Sequence, residues 1–90
     1  MQVSTSELAQ AREVVSRVLE ELRLEAYLFE VEPREGQWQI RVECAVEGGW
    51  GSCLLTADKE YLLRGTDDAI THAVLVDNWR DALADCLRIA

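Results

Sequence analysis

Hydrophobic residues near the start of the chain recur at three- and four-residue spacing, the period of an amphipathic helix. The apolar positions on one face of this helix are Leu8, Ala11, Val15, Val18, Leu19 and Leu22. Ser4 and Glu7 have the spacing of a capping box, in which each side chain accepts a hydrogen bond from the backbone of the other residue. The pattern therefore predicts a helix from about Thr5 to Leu24 with one buried stripe.

The pattern then changes to alternation of apolar and polar residues, which predicts β-strands. Tyr27, Phe29 and Val31 alternate in a first strand over residues 26–32, and a second alternating stretch covers residues 38–47. If residues 33–36 form the loop, the hairpin has three apolar pairs: Val31 with Trp38, Phe29 with Ile40, and Tyr27 with Val42. The opposite face is predicted to be charged and open to water, with Glu30, Glu32, Arg41, Glu43 and Glu47 on it.

A second hairpin follows, with Gly48-Gly49-Trp50-Gly51 as its predicted tip and a third strand from about Ser52 to Ala57. Its register is open between two alternatives, one pairing Val46 with Cys53 and the other pairing Cys44 with Cys53. Both place the two cysteines on the core face of the sheet, because side chains alternate with a period of two.

The remaining sequence predicts an apolar connection over residues 60–65 and a last helix from Asp67 to about Ile89. Thr66, Asp67 and Asp68 are typical of a helix N-terminus. The predicted buried face consists of His72, Leu75, Val76, Trp79, Leu83, Cys86, Leu87 and Ala90. In a competing interpretation, the β-branched segment Ile70–Val76 forms a fourth strand, and Asp77 caps a shorter helix.

Residues 1–90 are thus predicted to form a single α+β domain. Its two layers follow the order α-β-β-β-α, with a three-stranded antiparallel meander and two helices packed on one face.

The composition narrows the classes of partner and compartment. The net charge of −8 disfavours nucleic acid and anionic membranes as partners, because both are themselves negative. Neither a secretory signal nor an apolar run of membrane-spanning length is apparent in the sequence, so we expect a cytoplasmic protein. We accordingly expect Cys44, Cys53 and Cys86 to be free thiols, with a Cys44–Cys53 cross-strand disulfide as the alternative.

No motif in the sequence specifies a reaction, so we predict no catalytic, cofactor-binding or metal-binding residues. The one histidine, His72, is predicted to be a hydrogen-bonded core residue. The cysteines have no Cys-x-x-Cys spacing, which argues against a zinc site. Acidic pairs such as Asp67-Asp68 are predicted to lie on solvated helix surfaces rather than in an apolar pocket.

Two features remain as candidates for binding a protein. Trp50, with Gly49 beside it, lies at the predicted hairpin tip and either points into solvent as a contact residue or folds back over its own strands. Ile70 and Val74 lie among charged residues of the last helix and either pack against residues 61–63 or mark a dimer or partner contact.

We therefore predict a small acidic, non-enzymatic protein-interaction domain with an adaptor or regulatory role. Its partner would be another protein or a second copy of the chain. One alternative is a small-ligand carrier with a pocket lined by Trp38, Trp79, Tyr27 and His72. The other is a thiol-dependent enzyme.

Overall fold

A computed structural model describes residues 4–89 of the chain. Its elements are α1 (Thr5–Leu22), β1 (Tyr27–Arg34), β2 (Gln37–Val46), β3 (Gly49–Asp58), α2 (Lys59–Arg64) and α3 (Ala69–Ala82). The three strands form one antiparallel sheet in the order β1-β2-β3, and the helices pack against it. The predicted α+β fold is confirmed, with the short helix α2 in place of the predicted connection.

Helix α1 begins as the sequence predicts. The Ser4 side chain accepts a hydrogen bond from the Glu7 backbone N–H at 3.0 Å, and the Glu7 carboxylate accepts one from the Ser4 N–H at 3.2 Å. The helix ends at Leu22, slightly earlier than predicted, because Arg23 adopts a left-handed conformation with φ of 59°. Leu24 then forms an isolated antiparallel bridge with Arg88 near the chain's end.

The first hairpin is tighter than predicted. Its turn consists of Glu35 and Gly36 alone, with φ values of 51° and 80°, the positive angles that a type I′ turn needs. The predicted register is therefore wrong by two residues. The structure instead has these pairs: Val31 with Ile40, Phe29 with Val42, and Tyr27 with Cys44. A shift of two residues leaves every side chain on its predicted face of the sheet, because the side-chain period is also two.

The second hairpin turns at Glu47 and Gly48, so both predicted registers are wrong. Val46 pairs with Gly49, and Cys53 lies opposite Val42. The predicted tip residues 49–51 belong to β3 instead. Cys44 and Cys53 still share the core face, as the alternation predicted.

The core lies between the sheet and the helices. Trp38 is its largest fully buried side chain, and its indole Nε1 donates a hydrogen bond to the Lys59 carbonyl at 3.1 Å. That bond satisfies the one polar atom of the ring and ties β2 to the start of α2. Other fully buried core residues are Val14, Val15, Val18, Leu19, Ile40, Val42 and Leu62.

Helix α3 is shorter than predicted at both ends, because it begins at Ala69 rather than Asp67 and ends at Ala82 rather than near Ile89. Asp68 is its N-cap, and its carboxylate accepts hydrogen bonds from the backbone of Ile70 and Thr71. Residues 70–76 are helical, so the fourth-strand alternative is wrong. The buried face is also partly different from the prediction, because Thr71 is buried where His72 was expected.

Residues beyond α3 form a C-terminal segment (residues 83–89) that crosses the sheet near the second hairpin. The Leu87 N–H donates to the Ala45 carbonyl at 2.8 Å, and the Leu87 carbonyl accepts from the Glu25 N–H at 2.8 Å. Cys86 is disulfide-bonded to Cys44, with 5.6 Å between the Cα atoms. Leu87, predicted to be buried on the helix, is exposed because the helix does not reach it, and the predicted core position Ala90 lies outside the described residues.

Within residues 4–89, no helix is both long and apolar enough to cross a membrane.

Candidate protein-interaction surface

The side of the sheet that faces away from the helices, called here the open face, carries three large exposed apolar residues. Leu28 of β1 is 64% exposed, and Trp50 and Leu54 of β3 are 61% and 56% exposed. They lie among the charged residues Glu30 and Glu43, which the sequence places on the same side. The prediction of a charged face is therefore incomplete. Leu28 and Leu54 were not predicted as contact residues, although alternation with core-facing neighbours places both on this face.

Trp50 does not lie at a hairpin tip. It is the second residue of β3 and lies opposite Ala45 of β2, between the pairs Val46–Gly49 and Cys44–Gly51. Its ring remains mostly exposed, which agrees with the first of the two alternatives, a ring that points into solvent, rather than with a ring folded back over its own strands. Gly49, the other predicted contact residue of this hairpin, is exposed and starts the strand. The structure thus places Trp50 in a strand rather than in a loop.

Strand β3 forms one edge of the sheet, and we call its outer side the β3 edge. The backbone of Ala45 shows which β3 residues point outwards. Its N–H donates to the Ala26 carbonyl at 3.0 Å, and its carbonyl accepts from the Leu87 N–H. Both groups therefore point away from β3. Trp50, its pairing partner, therefore directs its own N–H and C=O away from β2. By alternation, the same holds for Ser52, Leu54 and Thr56.

The β3 edge has no partner within the part of the chain that the structure describes. Among the described residues, the only hydrogen bonds that the backbone of residues 49–57 forms with another segment are those with β2. Nor does the strand carry a charged side chain from Gly49 to Ala57. This is unusual in a chain in which 29% of residues are charged.

The opposite edge of the sheet, β1, shows the ordinary protection of an edge strand. It carries Glu30 and Glu32, and Pro33 removes one backbone donor. Charges and proline disfavour the addition of another strand, and β3 has neither between Gly49 and Ala57. The addition of another strand is therefore disfavoured at the β1 edge, whereas no charge or proline opposes it at the β3 edge between Gly49 and Ala57.

Ile70 and Val74, the second predicted contact, lie on α3 in the helical layer. Ile70 is 77% exposed and Val74 is 39% exposed, so Ile70 in particular does not pack on residues 61–63. They lie on a different element from Trp50 and on the helical side of the sheet. The structure does not combine the two predicted contacts into one surface.

A polar cleft between α1 and α3 contains His72. Its Nε2 atom lies 2.6 Å from a Glu21 carboxylate oxygen, so the predicted core position of His72 is wrong. The residue sits at the rim of the α1–α3 contact rather than under it. Asp68 borders the same cleft. The hydrogen bond from the Thr71 hydroxyl, at 2.8 Å, is the main cause of a lowered pKa of Asp68, helped by the backbone N–H groups of Ile70 and Thr71.

The cysteines lie together in a different cleft from His72. The disulfide shows that the expectation of three free thiols is wrong for Cys44 and Cys86, and the alternative Cys44–Cys53 pairing is wrong as well. Cys53 is the free cysteine, and its Sγ atom lies 3.6 Å from the Ala82 carbonyl. All three line one cleft beside the C-terminal segment. Among residues 4–89, no group of three or more His, Cys, Asp or Glu side chains is arranged to hold a metal ion.

The residues expected to line a carrier pocket are dispersed. Trp38 and Trp79 are buried in the core. Tyr27 lies in a groove with Leu19 and Ile89, where burial and the nearby Glu20 carboxylate raise its pKa. His72 belongs to the α1–α3 cleft on another side.

Comparisons with models of protein families, with curated proteins and with solved structures find no match to this chain.

Proposed function

We propose that this chain is a non-enzymatic protein-interaction domain that binds its partner through the open face and the β3 edge. The observation that carries the proposal is that the outer side of β3 has no charge between Gly49 and Ala57 and no partner among residues 4–89, while Trp50 and Leu54 are exposed on the same strand. An adaptor or regulatory role requires a surface of this kind and no reaction centre.

Two physical arguments support this surface as a binding site. An added strand would hydrogen-bond to the outward N–H and C=O groups of β3, and main-chain bonds of this kind contribute affinity in strand addition. Tryptophan is enriched among residues that dominate binding energy, because its large ring can lose much exposed area in one contact. Trp50 adds this contact beside the backbone bonds.

The matched test compares Trp50→Ala with Ile70→Ala, because both residues are exposed and apolar but lie on different layers. Binding of partner protein to the immobilised full chain is measured for each variant, together with its melting temperature. We expect Trp50→Ala to weaken binding while its melting temperature stays close to that of the wild type. Ile70→Ala should leave both unchanged. Loss of binding in Ile70→Ala alone would move the site to α3, and equal binding by all three proteins would contradict the proposal.

A cytoplasmic location stays a prediction, and the disulfide weighs against it. Disulfides persist mainly in oxidising compartments, whereas cytoplasmic thiols are usually kept reduced. Thiol labelling distinguishes an oxidising from a reducing compartment, if the cells are lysed under an acid quench and the denatured chain is labelled immediately afterwards. One reactive cysteine per denatured chain indicates an oxidising compartment, and three indicate a reducing one.

A further inference from the structure

We propose that the partner at the β3 edge is a second copy of this chain. The two β3 strands pair antiparallel with Ser52 on the twofold axis, which joins two three-stranded sheets into one sheet of six strands. The inference rests on the proposed function, since it names the occupant of the same surface, and it adds a register that can be tested separately.

The first argument is the availability of matching backbone groups. Trp50, Ser52, Leu54 and Thr56 direct their N–H and C=O groups outwards, as the hydrogen bonds of Ala45 require. Antiparallel pairing about a twofold axis needs outward-facing residues opposite each other on both strands. An axis at Ser52 meets this condition, because Ser52 then faces its own copy.

The second argument is the match of side chains in that register. With Ser52 on the axis, Trp50 of each copy lies directly opposite Leu54 of the other, on the open face. Two exposed apolar residues per chain are thereby placed in two cross-strand pairs, a kind of contact that stabilises sheets. Moving the axis by one residue in one direction sets Trp50 opposite Ser52, and in the other direction opposite Thr56. Only the Ser52 axis pairs Trp50 with Leu54.

The third argument is electrostatic. Two copies of a chain with a net charge of −8 repel each other, so a self-contact must avoid bringing carboxylates together. The β3 edge does so, because Gly49–Ala57 carries no charge. In the row of residues that crosses the axis, the charged residues are Glu43 and its copy, three strand spacings apart, or about 14 Å. Solvent-exposed charges at that distance are largely screened, since the Debye length is about 8 Å at physiological salt.

Cysteine cross-linking tests the register, with Cys53→Ser as the background so that the native free thiol does not react. Ser52→Cys places two thiols opposite each other with Cα atoms about 5.5 Å apart, which a disulfide can span. Thiols at the matched control, Thr56→Cys, point outwards on the same edge but lie eight residues apart, about 27 Å. We expect covalent dimers from Ser52→Cys under mild oxidation and none from Thr56→Cys.

Sedimentation of the wild-type chain and two charge variants tests the contact itself. We expect a dimer for the wild type and at least about a tenfold weaker dimer for Ser52→Lys, because two like charges then face each other on the axis. Thr56→Lys should stay dimeric, since its charge lies at the end of the paired region. Circular dichroism of each variant confirms that the fold is retained.

A monomeric wild type, or equal cross-linking of both cysteine variants, would overturn the self-pairing. Neither result removes the proposed function, which depends on whether Trp50→Ala weakens binding of a different protein. A dimer that Ser52→Lys leaves intact would also overturn the inference, by placing the contact elsewhere on the molecule.

Discussion

The three cysteines illustrate how much a single residue's role depends on its contacts. Cys44 and Cys86 are joined across 42 residues of sequence, while Cys53 faces the same side of the sheet and remains free. Alternation predicted the shared face, but it carries no information on which cysteine meets which. The disulfide fastens the C-terminal segment to β2, and we expect it to contribute to stability.

Replacing Cys86 by Ser should lower the free energy of unfolding by about 2–4 kcal/mol, because the cross-link restricts the unfolded chain. Cys53→Ser is the matched control and should change it by less than about 1 kcal/mol, because Cys53 is only partly buried at the margin of the core and forms no cross-link. Urea unfolding followed by circular dichroism measures both. Equal effects of the two substitutions would contradict a structural role for the disulfide.

Asp68 gives a second residue-scale prediction, on pH. The Thr71 hydroxyl and the N–H groups at the start of α3 lower the pKa of Asp68 below its ordinary value of 3.8. Folding therefore favours the carboxylate, and this stabilisation is present above pH 3.8 and is lost as the pH falls through the lowered folded pKa.

Asp68→Asn keeps a good N-cap but cannot ionise. We expect the stability difference between wild type and variant to shrink on acidification below pH 3.8, as measured by urea midpoints across the pH range. A difference that stays constant into acid would show that the carboxylate charge is not what stabilises the helix start.

At the scale of elements, the turns determine the register of strand pairing, which the alternation of apolar and polar residues does not specify. The strands were predicted from the period of two, but the pairing depends on where each hairpin turns. Both predicted loops were longer than the actual two-residue turns. In the first hairpin, the positive φ of Glu35 was not apparent from the sequence. Helix α3 shows the same limit. Its helical spacing continues past Ala82, yet the chain leaves the helix and instead hydrogen-bonds with Ala45 and Glu25.

The turn of the first hairpin can be tested directly. Gly36→Ala should cost about 1 kcal/mol, because a Cβ atom at φ of 80° strains the backbone, although no neighbouring atom lies in its way. Glu35→Asn should stabilise by a few tenths of a kcal/mol, since Asn tolerates positive φ better than Glu does. Thermal unfolding measures both. A neutral Gly36→Ala would argue against the tight turn and in favour of the longer loop.

At the scale of the whole molecule, the sheet has one covered face and one open face, and its tryptophans divide between them. Trp38 is fully buried beneath the helices, whereas Trp50 is mostly exposed on the other side. The same residue type thus has a structural role in one layer and is available for binding in the other. Only the placement of the helices on one side of the sheet creates this difference.

Truncating each tryptophan should separate the two roles. Trp38→Ala should lower the free energy of unfolding by about 3–5 kcal/mol, because it leaves a large cavity in the core. Trp50→Ala should cost less than about 1 kcal/mol, as for surface substitutions. Chemical unfolding of the two variants checks this. A loss at Trp50 as large as that at Trp38 would mean that its ring is part of the fold rather than free for a partner.

The sequence by itself determined the type and order of α1 and of β1 to β3, the presence of a helix near the C-terminus and the face on which each strand residue lies. These properties depend on local periodicity, so the capping box of α1, the alternation of β1 to β3 and the N-terminal carboxylates of α3 were sufficient. A register error of two residues does not change the face assigned to a strand residue, because side chains return to the same face at that interval.

The tertiary structure alone decided the register, the end of α3, the Cys44–Cys86 bond and the unprotected β3 edge. Each depends on contacts between segments far apart in sequence, which local spacing does not encode. Trp50 shows this most clearly. The sequence marked it as a candidate contact, but its place on an uncharged edge strand beside Leu54 follows only from where β2 and the C-terminal segment lie.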